Sequence, residues 1–514
     1  MSNNIITIRQ LVEYAADKYG DRDFMRFFRD DDEMCRKSFV EFREDCLAFC
    51  RYIRSADAGR KHIAFLGKTS YDYVTCLTGM IFSGNVAAPF DPNISIDEAC
   101  QLFERADIEM LFCEEEFTEK AKEIQKRYSG LKEIISLGNW QWFEDIYKKY
   151  NSQSEYAKFS DFEVDPDALA LLIFTSGTTG VRKGVMLSNH SIAANTCYDV
   201  FAMDEDDVSF SILPMHHVFC YNCDVLKTLY DGGTLCLNGA LVNLYKNMLR
   251  FQPTAMRMVP SLIQSVLTKI RIIEKKNPQL TKREAAEQVF GKNFKRILSG
   301  SAFLSPTLID EYAKYGIALR TGYGMSETSA RVTTTDFSDE CIYSTGKMTG
   351  VDEIKIADDG EVLIKGPSLM LGYYKMPEAT AEAFTEDGYL HTGDLGRLEG
   401  DHLYLLGRKK NLIILSNGEN ISPEEIENKF LDDLIVKEIV VHVKDDKIFA
   451  EIHPNYELAA SQGIDDIEAE IEKIVDRINE NSDSNKQIDN FAIRKAPFER
   501  TSTGKIKRSV FYFS

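Results

Sequence analysis

One short stretch constrains the fold more than any other: an apolar run stops abruptly at a loop of hydroxyls and glycines. It reads LLIFTSGTTGVRKGV and runs from Leu171 to Val185. The apolar run from Leu169 to Phe174 predicts a buried strand. The loop after it supplies hydroxyl and backbone donors and one lysine, which is typical of a phosphate-binding loop. The candidate residues are Thr175, Ser176, Gly177, Thr178, Thr179, Gly180 and Lys183.

This loop differs from the P-loop of nucleotide-binding proteins. That motif needs G-x-x-x-x-G-K-[ST], whereas Arg182 occupies the position of its second glycine and Gly184 that of its Ser/Thr. An ordinary Ser/Thr/Gly surface loop is the alternative interpretation. For a short Gly-rich loop taken alone that alternative is the more common, so the rest of the chain has to decide.

Length and charge exclude several classes of protein. A chain of 514 residues exceeds one ordinary core, which predicts at least two domains. The formal net charge of −20 argues against a nucleic-acid-binding protein, although a local cluster such as Arg182 and Lys183 can still attract a nucleotide. We see no signal peptide and no apolar run long enough to span a membrane, so we expect a cytoplasmic protein. Its eleven cysteines are scattered and odd in number, which fits reduced thiols.

The order of apolar segments indicates an α/β fold. Strand-like runs such as HIAFLG and EMLFCEE alternate with segments of helical spacing such as SYDYVTCLTGMIFSG and SIDEACQLFERAD. Near the C-terminus, a GRKKN turn is followed by a predicted capping box from Ser422 to Glu425 that starts a new helix. A hairpin, IVVHVKDDKIFAEIHP, and another amphipathic helix follow, so the last hundred residues predict a small domain of their own.

Five further stretches are weak signals individually, but their order and spacing along the chain are informative. They are ILSGSAFL (297–304), GYGMSET (322–328), YLHTGDLG (389–396), GRKKN (407–411) and RTSTGKIKR (500–508). Behind the opening loop, they resemble the adenylate-forming superfamily of acyl-CoA synthetases, amino-acid-adenylating domains and beetle luciferases. The likeness covers nearly the whole chain and is strongest to bacterial-type fatty-acyl-CoA synthetases.

The resemblance implies the architecture and the reaction. It predicts a large N-terminal multi-subdomain α/β domain over residues 1–408, which binds ATP and the acid, and a small mobile C-terminal α+β domain over 409–514. The implied activity is ATP-dependent activation of a carboxylic acid to acyl-AMP with release of pyrophosphate, then transfer to the thiol of CoA. ATP, Mg²⁺ and CoA are the implied cofactors, and the protein is expected to be a monomer or homodimer. A non-catalytic ATP-binding scaffold is disfavoured, because none of the charged site residues is missing.

Matching the motifs assigns a role to each candidate residue. The opening loop, with Lys183, would cover the β- and γ-phosphates, while Ser326 would touch the α-phosphate. The adenine would lie against Gly300, Ser301, Ala302 and Tyr323, and Gly324 would also belong to the ATP site. Glu327 would bind Mg²⁺, Asp394 would accept from both ribose hydroxyls, and Arg408 would assist there. Lys410 would be the hinge, Gly418 would border the thiol tunnel, and Lys505 would contact the reacting carboxylate and the α-phosphate.

The acid pocket is predicted to be lined by the segment Ser209–Leu237 and by residues of the GYGMSET stretch. His217, Phe219, Gly322 and Met325 are its candidate residues. Amino-acid-adenylating relatives place an aspartate where Phe219 stands, and a phenylalanine offers no partner for an ammonium group, so amino acids are rejected as main substrates. A medium- or long-chain fatty acid is expected, with aryl and bulky alicyclic acids left open. Free CoA is the default acceptor, and the pantetheine arm of an acyl carrier protein is the alternative.

Overall fold

The computed structural model describes residues 5–29, 33–56, 59–138, 140–175, 182–198, 203–414, 420–430, 433–444, 447–500 and 506–508. Several predicted site residues lie outside this part of the chain: Ser176, Gly177, Thr178, Thr179, Gly180, Gly418 and Lys505. Their assigned roles stay predictions.

The described residues form strands and helices that alternate through the first half of the chain. The strands are β1 Asp23–Arg29, β2 Glu33–Ser38, β3 His62–Leu66, β4 Val86–Phe90, β5 Ile108–Glu114, β6 Glu133–Leu137, β7 Leu169–Thr175, β8 Lys183–Ser188, β9 Val208–Ser211, β10 Thr234–Leu237, β11 Ala255–Met258, β12 Arg296–Ser299, β13 Ala318–Tyr323, β14 Thr333–Thr334, β15 Lys347–Met348, β16 Glu353–Ile356, β17 Glu361–Lys365, β18 Gly372–Tyr373, β19 Leu390–Glu399, β20 His402–Arg408, β21 Ile413–Ile414, β22 Asn420–Ile421, β23 Val436–Lys444, β24 Lys447–Pro454 and β25 Asn490–Ile493. The helices are α1 Ile8–Tyr19, α2 Phe39–Ala56, α3 Tyr71–Phe82, α4 Ile96–Arg105, α5 Thr118–Arg127, α6 Trp140–Lys149, α7 Asn189–Thr196, α8 Lys227–Asp231, α9 Leu244–Phe251, α10 Pro260–Lys276, α11 Lys282–Phe290, α12 Pro306–Lys314, α13 Pro377–Glu382, α14 Pro423–Phe430, α15 Tyr456–Gln462 and α16 Ile467–Glu480.

Two large sheets build the first four hundred residues. One has the strand order β16-β17-β19-β20-β15-β14-β13-β12-β11-β9-β10-β1-β2, and the other has the order β18-β8-β7-β4-β3-β5-β6. In the first sheet the run from β13 to β1 is parallel, so the carboxyl ends of these strands share one edge. That shared edge is where open α/β sheets bind ligands. Predicted adenine and acid-pocket residues lie there: some follow β12 and β9, and Gly322 and Tyr323 end β13.

The largest core cluster brings helices α1, α2 and α3 together with strands of both sheets. Every residue of α3 except Asp72 is buried, which explains its nearly continuous apolar sequence. Its N-terminus is capped by the Ser70 hydroxyl, which accepts from the Tyr73 N–H at 3.1 Å. No helix of the described residues is long and apolar enough to cross a membrane. All eleven cysteines are free, as predicted.

The C-terminal residues form a separate cluster around a three-stranded sheet. The predicted hairpin is β23 and β24, β25 adds in parallel, and the apolar face of α16 packs against them. Helix α14 begins at Pro423 as predicted, and the capping box stays a prediction. The Ser422 hydroxyl donates to the Leu406 carbonyl at 3.0 Å, which ties the start of α14 to β20. The predicted domain division at residue 408 stays a prediction.

Candidate active site

A buried carboxylate, Asp394, lies between two groups that neutralise and orient it. The Tyr323 hydroxyl donates to its Oδ2 at 2.9 Å, and the Arg408 Nε lies 2.6 Å from its Oδ1. Asp394 and Arg408 face each other because they are paired in the antiparallel register of β19 and β20. Burial, and then the Asp394 charge, hold the pKa of Tyr323 well above its usual range, so the phenol keeps its proton and donates. Three predicted residues from separate motifs are thus brought into direct contact.

A second group of side chains joins Glu327, Tyr373 and Lys183. The Tyr373 hydroxyl donates to Glu327 Oε1 at 2.9 Å, and the Lys183 Nζ lies 4.3 Å from the centre of the Tyr373 ring. Burial, and then Glu327, raise the pKa of Tyr373, so its hydroxyl also remains a donor. Among the described residues, no group donates a hydrogen bond to the other oxygen of Glu327, Oε2. An oxygen of this kind suits Mg²⁺, which prefers carboxylate ligands and keeps several waters.

Backbone pairing places Tyr373 between its two partners. Strand β18 pairs antiparallel with β8, so Tyr373 lies opposite Val185, two residues after Lys183. Just before it, the Met370 N–H donates to the Glu327 carbonyl at 2.8 Å. Tyr373 cannot be identified from the sequence, because its strand has only two residues, Gly372 and Tyr373, and gives no periodic signal from which a site role follows.

The loop between β13 and β14 is tightly closed around its glycine. A Cβ on Gly324 would lie 1.9 Å from the Ala330 carbonyl oxygen, so only glycine fits there. The Asn195 side-chain amide donates to the Thr328 carbonyl at 3.0 Å and to the Arg331 carbonyl at 2.6 Å. These contacts fix the segment that contains Met325, Ser326 and Glu327.

The predicted acid and adenine residues also meet at this edge. Phe219 packs on Gly300 so closely that a Cβ there would lie 2.8 Å from the ring, and Ser301 adopts a left-handed φ of 71°. Phe219 begins a π-helix, Phe219–Leu226, a rare conformation that recurs at functional sites. The rings of His216 and His217 lie 4.3 Å apart just before it. Burial, and then His217, lower the pKa of His216 to about 4, so it is neutral near pH 7.

Other predicted residues have more ordinary surroundings. Thr175 pairs with Lys183 in the antiparallel register of β7 and β8. Arg182 forms an ion pair with Glu98 at 2.7 Å, so its charge is partly neutralised, contrary to the expectation of a positive local pair. Lys410 lies in a single 3₁₀ turn, Lys409–Asn411, directly after β20. Cys220 and Cys223 are both buried in the π-helix.

Comparison with protein families places this geometry among known proteins. Residues 12–374 match the family model described as AMP-binding enzyme, and residues 410–513 match the AMP-binding enzyme C-terminal domain. The chain is 26% identical over 490 residues to the long-chain-fatty-acid–CoA ligase ACSBG1 of Homo sapiens, covering 82% of this chain and 66% of that protein. It is 25% identical over 528 residues to fatty acyl-CoA synthetase B of Dictyostelium discoideum, covering 88% and 78%. The chain therefore spans about two thirds of the length of ACSBG1.

Solved structures share the fold at low sequence identity. The anthranilate CoA ligase AuaEII in complex with anthranoyl-AMP superposes with a TM-score of 0.81 at 18% identity, covering 98% of this chain and 96% of that chain. ATP-bound MatB from Rhodopseudomonas palustris superposes with a TM-score of 0.79 at 21% identity, covering 98% of each chain. These matches confirm the predicted fold class.

Proposed function

Because the chain belongs to the AMP-binding enzyme family, we propose that it activates a carboxylic acid with ATP and transfers the acyl group to CoA. The acid is a medium- or long-chain fatty acid, in keeping with the names of the curated relatives. The observation that carries the proposal is the Asp394 carboxylate, held by Tyr323 and Arg408 at the sheet edge. The cytoplasmic location and the oligomeric state stay predictions.

The site residues divide between the two ends of the nucleotide. Asp394, an acceptor-only group fixed by two donors, is suited to a vicinal diol such as the ribose hydroxyls. The base is assigned to Gly300, Ser301, Ala302 and the Tyr323 ring.

Lys183 and Ser326 supply a charge and a hydroxyl toward the phosphates. Glu327 would hold Mg²⁺ through Oε2, and the ion would supply charge neutralisation for the departing pyrophosphate.

Neither proposed step requires a nucleophile from the protein, because the substrate carboxylate and the CoA thiolate are the nucleophiles. The protein has to position these groups and stabilise the charge that develops. The substrate carboxylate attacks the α-phosphorus, the bond to the bridging oxygen breaks, and pyrophosphate leaves with the electron pair. The CoA thiolate then attacks the acyl carbonyl and AMP leaves. Lys505 is assigned to the first step and His217 to the pocket entrance. Lys410 is assigned to the hinge between the two steps and Gly418 to the thiol tunnel.

Pyrophosphate release, measured across a panel of carboxylic acids, tests the proposal. Each acid is assayed with CoA, with a phosphopantetheinylated acyl carrier protein, and without an acceptor. Acid-dependent release together with an acyl-CoA product is the expected result. Thioester formed only on the carrier protein would favour the alternative acceptor. If no acid increased pyrophosphate release, a non-catalytic nucleotide-binding scaffold would be favoured instead.

A further inference from the structure

Five buried charged side chains form a cluster around the C-terminal part of the π-helix and the helix α8 that follows it. Asp224 belongs to the π-helix, Lys227 and Asp231 to α8, and Arg257 to β11, while Arg331 stands just before β14. All five residues are more than nine-tenths buried. Charges taken out of water require partners, so the pairing within this cluster is informative.

Four of the five charges are paired. Arg257 Nη1 lies 3.4 Å from Asp224 Oδ1, and the Ser211 hydroxyl donates to the same carboxylate at 2.7 Å. Lys227 forms an ion pair with Asp231 and donates to the Tyr198 carbonyl at 2.9 Å. The other oxygen of Asp231 accepts from the Met203 N–H at 3.0 Å. Both carboxylates are therefore already engaged.

Arg331 is the exception. Within the described part of the chain no carboxylate forms an ion pair with it, and its Nε and Nη1 atoms have no hydrogen-bond partner. Its Nη2 donates only to the Asn195 carbonyl at 3.3 Å, and its guanidinium lies 4.5 Å from the centre of the Tyr198 ring. A guanidinium stays protonated in proteins, so this side chain is a buried cation, and the charge of Asp231, which is already paired with Lys227, acts on it without forming an ion pair.

The position of Arg331 links this cation to the acid pocket. Its backbone is fastened by Asn195, which also holds Thr328, next to Glu327. Its guanidinium lies near Cys223, four residues beyond Phe219 on the π-helix. Two further buried hydroxyls of the described residues have no hydrogen-bond partner here: that of Tyr198, beside the Arg331 guanidinium, and that of Thr334, which lies near Tyr198 and opposite Gly322. Unsatisfied donors in such numbers indicate a ligand or ordered water.

We propose that Arg331 selects acids that carry a second anionic group, most simply α,ω-dicarboxylic acids, by forming a two-point ion pair with the carboxylate that does not react. The planar fork of a guanidinium matches a carboxylate in this way. The proposal rests on the proposed function and refines it. In this proposal the alkyl chain of the substrate lies beside Phe219. The end of the chain that does not react carries a carboxylate in place of the methyl group of a fatty acid.

Matched acids of equal length test the idea. Pyrophosphate release is measured for C4 to C10 monocarboxylates and the corresponding α,ω-dicarboxylates, with the wild type and Arg331→Met. At the best length the wild type is expected to prefer the dicarboxylate in kcat/KM. Arg331→Met should lose roughly thirty-fold or more of that preference, the usual effect of removing one partner of a buried charge pair, while the monocarboxylate rate is retained or rises. Arg331→Lys should restore part of the preference.

The control variant is Arg320→Met, since Arg320 also has an unpartnered Nε but donates to the backbone carbonyls of Leu319 and Phe337. Its preference should match the wild type. Arg331→Met should unfold at the same temperature as the wild type or higher, because an unpaired buried charge is removed. Preference for monocarboxylates in the wild type, or equal loss of both acid classes in Arg331→Met, would overturn the inference.

Calorimetric titration with the dicarboxylates separates the two proposals. Binding that depends on Arg331 without any pyrophosphate release would refute the proposed function but support this inference. Acid-dependent pyrophosphate release with dicarboxylate binding that does not depend on Arg331 would support the proposed function and refute this inference.

Discussion

Replacing Tyr373 by phenylalanine removes one hydroxyl from the candidate site and leaves the ring. That hydroxyl donates to Glu327 Oε1 at 2.9 Å, and both residues are only 8% exposed. The ring that faces Lys183 Nζ at 4.3 Å is retained, so the cation–π contact survives. A hydrogen bond to a charged group contributes about 1.5–3 kcal/mol. We therefore expect kcat/KM for adenylation to fall by roughly ten-fold to a hundred-fold.

The assay is acid-dependent pyrophosphate release over a series of Mg²⁺ concentrations. Because the carboxylate loses the donor that orients it, Tyr373→Phe should need more Mg²⁺ for half-maximal rate. Tyr374→Phe is the matched control, since that hydroxyl donates to Asp107 at 2.7 Å and makes no contact with Glu327. Its kinetics should stay within about two-fold of the wild type. Equal effects of the two substitutions, or an unchanged Mg²⁺ dependence in Tyr373→Phe, would refute the assigned role of Tyr373.

Four further substitutions test the other assignments. Glu327→Gln should weaken Mg²⁺ and slow adenylation while ATP still binds, which equilibrium ATP titration checks against the Mg²⁺ dependence of the rate. Phe219→Asp should lower the use of octanoate to palmitate, because it buries an unpaired carboxylate beside the chain; a panel in which alanine or phenylalanine exceeds all fatty acids would contradict the assignment. Lys410→Pro fixes φ and should impair thioester formation more than adenylation, measured as separate half-reactions. Lys505→Ala should slow adenylation by roughly a hundred-fold to a thousand-fold and leave thioester formation from supplied acyl-adenylate near the wild-type rate.

Elements with a strong local signal could be predicted from the sequence. Strand β7 has a continuous apolar run, and every residue of it but the first and the last two is buried. The hairpin of β23 and β24 was equally clear, because two β-branched runs flank a short polar turn. The tertiary contact of Ser422 could not be predicted. Its sequence fits a local capping motif, but the hydroxyl also donates to the Leu406 carbonyl, a contact that spacing does not reveal.

The π-helix could not be predicted either, because its sequence, FCYNCDVL, carries no property that separates it from an α-helix. Its conformation depends on buried polar contacts with distant residues. Asn222 donates to the carbonyl of Ser329 and to the side chain of Asn195, so the helix is fastened to the loop that contains Glu327. The motif residues could be predicted because each belongs to a short local sequence pattern. The hydrogen bonds of Asn222 join residues that are distant in sequence, so only the structure reveals them.

Tyr373 and Arg331 show what this difference means for function. The hydroxyl partner of Tyr373 is 46 residues away, and the guanidinium of Arg331 is notable only because no described carboxylate pairs with it. The proposed nucleotide end of the site would serve a substrate common to a whole family, and its candidate residues stand in patterns that sequence can identify. The proposed acid end would have to fit one particular substrate, so its determinants would be isolated side chains that the fold brings together. Among the described residues, the buried guanidinium of Arg331, which no carboxylate joins in an ion pair, is a feature that an apolar fatty-acid pocket does not explain.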